Sequence, residues 1–340
     1  MRAMMLHRFG SALEAADVPR PVPGEGEVLV RVKACGVCAT DLKVTGGRLR
    51  NLRLPHVPGH EVAGEVVEVG PGVVHRSRGD RVTVYIYVTC GFCRMCRSGR
   101  ENICLNLRGR IGMDRPGGFA EYVAVPAANC IRVSDRLSWP EAAVLPDAVV
   151  TMYNALITRA RVGLGDWVAI VGAGGLGAYG IQLAKRSGAH VMVLDVQEAK
   201  LDWALKLGAD AAFDARAADR RQRILGLTGG QGADVVANLV GTPESLSESL
   251  GWLRNGGKLL VVGYSPEHPF PADSFAMHLG ELEIIGVRSA TRQDLLAVVG
   301  LAERGELQSA VTQEMPLARA NEALAAVKAG SVLGRLVLTP

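Results

Sequence analysis

Four cysteines within fifteen residues, Cys90, Cys93, Cys96 and Cys104, form the densest set of metal-ligating side chains in the 340-residue chain. They read C-x2-C-x2-C-x7-C inside YVTCGFCRMCRSGRENICLN, a segment with little apolar material of its own. Four thiolates at loop spacing suit a tetrahedral ion such as zinc and leave no ligand position open, so a site of this kind holds a loop in shape and does no chemistry. The same side chains could form two disulfides or hold an iron–sulfur cluster. The opening segment MRAMMLHRFGSALEAADVP has no apolar stretch of secretory-leader length, so a reducing cytoplasm is expected, which disfavours disulfides. Zinc is the expected occupant.

A second signature is Gly172-Ala173-Gly174-Gly175-Leu176-Gly177, a G-x-G-x-x-G between the run WVAIV and the apolar-periodic segment Leu176–Arg186. In such a turn the first glycine permits the bend and the second lets the backbone approach a pyrophosphate. The third allows helix to pack on strand, and the helix start offers unpaired N–H groups to the anion. Asp195, at the end of the next apolar run, is placed to accept hydrogen bonds from an adenosine ribose and to repel a 2′-phosphate. Val196 and Gln197, which follow it, are uncharged, so no arginine is offered to such a phosphate and NAD is expected rather than NADP.

A third set is discontinuous: Cys38 in CGVCATD (35–41), and His60 with Glu61 in VPGHEVAGEV (57–66). A thiolate and an imidazole supply two ligands to a zinc ion, and a reactive site needs a third ligand plus an open position. Spacing alone does not join Cys38 to His60; Cys35 and Cys38 also read as a redox pair, and His60 as a core histidine.

Two textures must position these groups. Before residue 150, β-branched runs punctuated by Gly and Pro (Glu27–Lys33, Val62–Val69, Asp80–Tyr87, Ala120–Val125) predict a β-rich module with long loops. After it, strands are predicted at Trp167–Val171, Val191–Leu194, Ala211–Phe213, Val235–Val240, Lys258–Val262 and Glu283–Val287, separated by helix-length segments, which gives a parallel sheet covered on both faces. Hydrophobic content of 48% with 21% charged residues is that of a globular chain long enough for two cores. A net charge of +4 gives no case for nucleic acid, and no stretch approaches the ~20 apolar residues needed to cross a bilayer.

With these motifs in this order, together with the terminal GRLVL (334–338), the chain resembles the zinc-dependent medium-chain alcohol dehydrogenases over essentially its full length. The resemblance implies an α/β architecture: a GroES-like catalytic domain, residues 1–149 and 290–340, holding two zinc sites, and a Rossmann doubly wound domain, 150–289, holding NAD. It implies that Cys38 and His60 bind the catalytic zinc, that Glu61 sits behind the metal or swings onto it, and that Asp41 fixes the histidine tautomer. Thr40 would take the alcohol's proton, Arg335 would reach the cofactor pyrophosphate, and Thr151 would lie near the nicotinamide.

Two positions depart from many members. Where they carry a third cysteine ligand, this chain has Asp147, which can bind zinc itself or leave the position to Glu61 or water. Where some carry a histidine relay, this chain has Lys43, three residues past Thr40, which serves only with a lowered pKa and otherwise is a solvated side chain. The expected activity is NAD-linked interconversion of a small-molecule alcohol and its carbonyl by a cytoplasmic homo-oligomer, dimer or tetramer. Leu52, Tyr85, Ile86 and Trp139 are expected on the substrate wall. The alternatives are a reductase of activated C=C bonds, which the metal ligands argue against, and a non-catalytic NAD- or zinc-sensing scaffold, which Thr40 and Asp41 argue against. Cys130 reads as a small buried hydrophobe and Arg216–Arg223 as a solvated helix face.

Overall fold

The apolar run that begins at Glu27 continues as a strand to Val37, eleven residues, and so delivers Cys38 directly from its end. The computed structural model containing it describes residues 1–49, 52–266 and 268–340. The chain divides into two units, Met1–Val150 with Thr291–Pro340, and Thr151–Ala290.

Among the described residues the first unit builds a seven-stranded sheet in the order Val311–Pro316, Arg335–Thr339, Glu27–Val37, Glu61–Val69, Arg81–Val84, Cys130–Arg132, with Tyr122–Pro126 also paired to Glu27–Val37. All pairings are antiparallel except that between Val311–Pro316 and Arg335–Thr339. Val30, Val62, Val84, Phe119 and Leu336 form its core, each buried almost completely. Register shifts at Leu29/Val30 and Val32/Ala34 bend the central strand ahead of Cys35, the usual effect of a bulge next to a functional segment. The predicted strand Asp80–Tyr87 shortens to Arg81–Val84 because the buried Asn129 takes over its backbone partners: its Nδ2 donates to Tyr85 O at 2.6 Å and Tyr87 O at 2.9 Å.

The sequence reading also missed helical turns. Trp139–Val144 is an α-helix started by Ser138, which accepts from Glu141 N while the Glu141 carboxylate accepts from Ser138 N. It runs into a π-helical turn, Leu145–Val149. Pro146 lacks an N–H and so cannot continue the α ladder, and the widened turn carries Asp147.

Among the described residues the second unit holds a six-stranded parallel sheet in the order Ala211–Asp214, His190–Asp195, Trp167–Val171, Ala233–Asn238, Leu253–Val261, Glu283–Gly286. Numbered along the chain this order is 3-2-1-4-5-6, with its reversal beside Trp167–Val171, where open α/β sheets place their ligand crevice. Val168–Ile170 and Val191–Leu194 are wholly buried, as strands covered on both faces must be. Helices Gly175–Arg186, Glu198–Lys206, Arg220–Leu227 and Pro243–Leu250 alternate with the strands. The fourth strand stops at Asn238, short of the predicted Val240, because the Asn238 side chain accepts from Val240 N and Gly241 N at 3.1 and 2.8 Å and turns the chain.

Candidate functional site

The cysteine loop closes on itself. Cys93 precedes the short helix Arg94–Arg97, Cys96 lies within it, and Cys104 ends the turn Glu101–Ile103. Four of the six sulfur–sulfur distances are 3.5–3.9 Å and all lie within 4.8 Å. Zinc–thiolate bonds of about 2.3 Å in a tetrahedron require sulfurs about 3.8 Å apart, so this donor set fits the ion; a disulfide at about 2 Å does not describe it. Cys104 Sγ accepts from Cys90 N and Cys90 Sγ from Cys93 N, each at 3.4 Å. The Cys93 thiol is held down at about 6 by the N–H groups of Cys96 and Leu105, while Cys96 is pushed up to about 12, chiefly by desolvation and then by Cys93. The loop is anchored to its own unit through the buried Glu101, which accepts from Arg292 N at 2.7 Å.

The second donor set is assembled from three separated segments. Cys38 caps the helix Ala39–Thr45, its Sγ accepting from Thr40 N at 3.3 Å while Asp41 Oδ2 accepts from Cys38 N at 2.9 Å. The other Asp41 oxygen lies 3.0 Å from His60 Nδ1. One buried carboxylate therefore closes the helix cap and fixes the imidazole, leaving Nε2 directed at Cys38 Sγ, 3.2 Å away. Around that nitrogen stand Glu61 Oε1 at 3.9 Å and Asp147 Oδ2 at 3.8 Å. Donor atoms of Cys38, His60, Glu61 and Asp147 all lie within 4.8 Å of one another. Glu61 faces Gly36 across the strand pair, and a Cβ at Gly36 would meet Glu61 Oε2 at 2.2 Å, so only glycine leaves room for this carboxylate.

Electrostatics favour a cation here. Cys38, Asp41 and Glu61 are buried, Asp147 nearly so, and the guanidinium facing them is that of Arg335, which contacts Glu61 and lies 3.4 Å from Asp147. Burial by itself disfavours a charged His60, yet Asp41, Cys38 and Asp147 drive its pKa well above the ordinary histidine range. A site that pulls a proton onto a fully buried imidazole carries more negative charge than one arginine offsets. Glu61 Oε2 is also a buried acceptor with no partner among the described residues. The residues therefore fit a divalent metal with thiolate, imidazole and carboxylate donors.

Several predicted residues have definite partners in the structure. Arg335 is committed to Glu61 and Asp147, so a pyrophosphate role would require it to exchange those partners. Tyr85 is 1% exposed, with the Arg292 guanidinium 4.9 Å over its ring, and Trp139 lies 3.7 Å beneath Arg81. Ile86 shares a small apolar cluster with Val44, Met113 and Leu52. Burial lowers the pKa of Lys43, with Cys38 opposing and Arg48 assisting.

In the second unit, Gly174 caps the helix Gly175–Arg186 with no side chain closing its first N–H groups, and a Cβ at Gly174 would meet open space. At Gly177 a Cβ would strike Gly172 O at 2.2 Å. The turn is therefore tight inside and vacant outside, as an anion cradle must be. Asp195 Oδ2 accepts from Ala173 N at 2.8 Å and Oδ1 from Gln197 N at 3.0 Å, which holds the carboxylate at the turn with acceptor capacity left over. Thr151 is buried in the helical turn Val150–Tyr153. Sequence reading passed over Lys200, a buried lysine at the head of the helix that follows Asp195; its place five residues past that aspartate was the available signal.

Comparison with known proteins is consistent along the chain. Residues 24–135 match the family model for the alcohol dehydrogenase GroES-like domain, and residues 175–304 that for zinc-binding dehydrogenases. An alcohol dehydrogenase of Geobacillus stearothermophilus is 38% identical over 99% of both chains, and an NAD-dependent alcohol dehydrogenase of Sulfurisphaera tokodaii is 37% identical over 100% of both. A cobalt- and zinc-bound thermostable alcohol dehydrogenase from Pyrobaculum aerophilum matches with a TM-score of 0.90 at 34% identity, covering 100% of this chain and 99% of that one.

Proposed function

The chain belongs to the zinc-dependent medium-chain alcohol dehydrogenase family, and from that premise we propose that the cluster of Cys38, His60 and Asp147 is its reaction centre. It is an NAD-linked oxidoreductase that interconverts an alcohol and its aldehyde or ketone. When bound, zinc supplies Lewis acidity to the substrate oxygen and NAD supplies the hydride acceptor. Cys38, His60 and Asp147 would hold the reactive ion, and Cys90, Cys93, Cys96 and Cys104 a second one that fixes the loop. Asp147 is favoured over Glu61 as third ligand by the arginine: Arg335 is engaged more closely by Glu61 than by Asp147, which it meets at 3.4 Å.

Asp41 positions His60, and Glu61 with Arg335 holds a reserve carboxylate behind the donors. Thr40 Oγ1, on the second residue of the helix that Cys38 caps, would receive the alcohol's proton. Lys43 lies on the same helix, and burial makes its ammonium easier to deprotonate, which suits it to accept that proton. Gly172, Gly174, Gly175, Leu176 and Gly177 would cradle the pyrophosphate, Asp195 the adenosine ribose, and Thr151 and Arg335 further parts of the cofactor. We assign residues 1–149 and 290–340 to the metal-holding domain and 150–289 to the NAD-holding one, which the two units support.

The chain acts as a homo-oligomer in this reading, because Glu283–Gly286 is an edge strand that a second copy can extend across a two-fold. A cytoplasmic location fits seven free thiols, and among the described residues no helix is long and apolar enough to cross a membrane. The observation that carries the reading is the convergence of Cys38, His60 and Asp147 on one buried point. Zinc content per chain tests it, measured for wild type and Asp147→Ala beside NAD reduction over primary, secondary and polyol alcohols. Two zincs falling to one with activity lost supports it; unchanged zinc with retained activity removes Asp147 and promotes Glu61.

A further inference from the structure

The adenosine end of the coenzyme turn holds a cation that the sequence placed far from it. Strand Ala211–Asp214 lies beside His190–Asp195 in parallel register, with Asp214 opposite Asp195. Both strands end at this point, and Ala215 N donates to Asp195 O at 3.0 Å. The next residue, Arg216, folds its guanidinium back over the junction: Nη2 donates to Val196 O at 3.0 Å. Nε and Nη2 grip the Asp214 carboxylate at 2.7–3.2 Å, and Arg216 N donates to the same carboxylate at 2.8 Å. The group is thus held in place while its side chain stays 68% exposed. The Arg216 pairing draws the Asp214 pKa down to about 2, so both charges persist at working pH. Val196 and Gln197, which follow Asp195 in the chain, are uncharged as expected, and the arginine comes from the neighbouring strand's end.

We propose that Arg216 is a specificity-determining residue, preset to bind the 2′-phosphate of a phosphorylated nicotinamide coenzyme, with the Asp195 carboxylate as the group that opposes it. This rests on the reading of Asp195 as the ribose acid. A 2′-phosphate brought beside the buried Asp195 meets a like charge and forfeits the hydroxyl's hydrogen bond. Arg216 Nη2 reaches the carbonyl of Val196, the residue next to Asp195, so a phosphate beside Asp195 would approach this guanidinium and compete with Asp214 for it; guanidinium–phosphate pairing is strong and directional. Preference for NAD is then a difference of two opposed contributions, and removing one tips it.

The test is calorimetric titration of the full chain with 5′-AMP and with adenosine 2′,5′-bisphosphate, which carry the adenosine end without the nicotinamide and so report independently of turnover. Asp195→Asn should weaken 5′-AMP and strengthen the bisphosphate by about tenfold; Arg216→Ala added to it should abolish that gain, and Arg216→Lys should keep part of it. If the single and double variants bind the bisphosphate equally, Arg216 does not reach the phosphate and the inference fails. If Asp195→Asn leaves 5′-AMP affinity unmoved, the reading of Asp195 itself fails. Because Asp195 also holds Ala173 N and Gln197 N, Arg216→Ala alone gives a measurement free of folding effects at an exposed position. Bisphosphate affinity should fall about fivefold with far less change for 5′-AMP, and an unchanged value overturns the proposal.

Discussion

The two metal-donor sets sit in one unit of the molecule and are built by opposite routes. The cysteine loop takes four identical donors from one short segment, and its remaining hydrogen bonds are local N–H groups donating to sulfur. The mixed set takes a thiolate from the end of one strand, an imidazole and a carboxylate from the start of another, and a second carboxylate from a π-helical turn. It adds Asp41 behind the imidazole and Arg335 behind the carboxylates. The first set is saturated by a single ion and has nothing left over. The second has a surplus donor and a buried cation paired with it. In the proposed reading, that surplus would leave a position for substrate on a bound metal. It also makes the second site dependent on the whole sheet being folded, whereas the first needs only its own loop.

The comparison predicts how each set fails. Cys38→Ser should show the largest effect, a loss of about a thousandfold or more in kcat with zinc falling from two ions to one, because it removes Lewis-acid stabilisation worth several kcal/mol. Steady-state kinetics beside atomic absorption would show this, and full activity with one zinc would erase the division of labour. Asp41→Asn should cost about ten- to a hundredfold in activity or metal affinity, since the imidazole loses the partner that fixes its tautomer, while the cysteine site stays loaded. A chelator titration resolves the two ions. Cys93→Ser should reverse the pattern: about 2–5 kcal/mol of stability is lost with the loop-closing ion, and kcat of the folded chain stays within about fivefold. Denaturant unfolding beside kinetics separates these.

The smallest effect is in the pH at which each ion leaves. The Cys93 thiol is depressed, so its stabilising thiolate is complete above the ordinary thiol value and is lost only as pH falls through about 6. The His60 pKa is raised, so in the metal-free chain the imidazolium's contribution is present at low pH and fades as pH rises through that raised value. Protons therefore compete for His60 Nε2 at a pH where Cys93 is still a thiolate. Acidification from above neutral pH should strip the mixed site first, as read by a chromophoric zinc chelator; simultaneous release would show that the two sites are electrostatically alike.

Much of the site was legible because its chemistry is carried by short motifs. The cysteine spacing, the glycine turn with Asp195, and CGVCATD with PGHE each state their donors within a few residues. The alternation of apolar runs with helix-length segments was enough for the parallel sheet, since period and run length are local properties. Strand ends were not legible where a distant side chain sets them. Nothing near Tyr85 shows that Asn129 will take its backbone partners, and the π-helical turn at Asp147 depends on packing as well as on Pro146.

What the sequence determined by itself was the identity of the donors, the coenzyme turn and the two textures of the fold, because these depend on residue type and on contacts a few positions apart. Tertiary structure decided which donors meet. It brought Arg335 onto Glu61 across 274 positions and set Arg216 against Val196 O. Both pairings are products of strand register, which is settled by burying whole faces at once and leaves no mark at either residue.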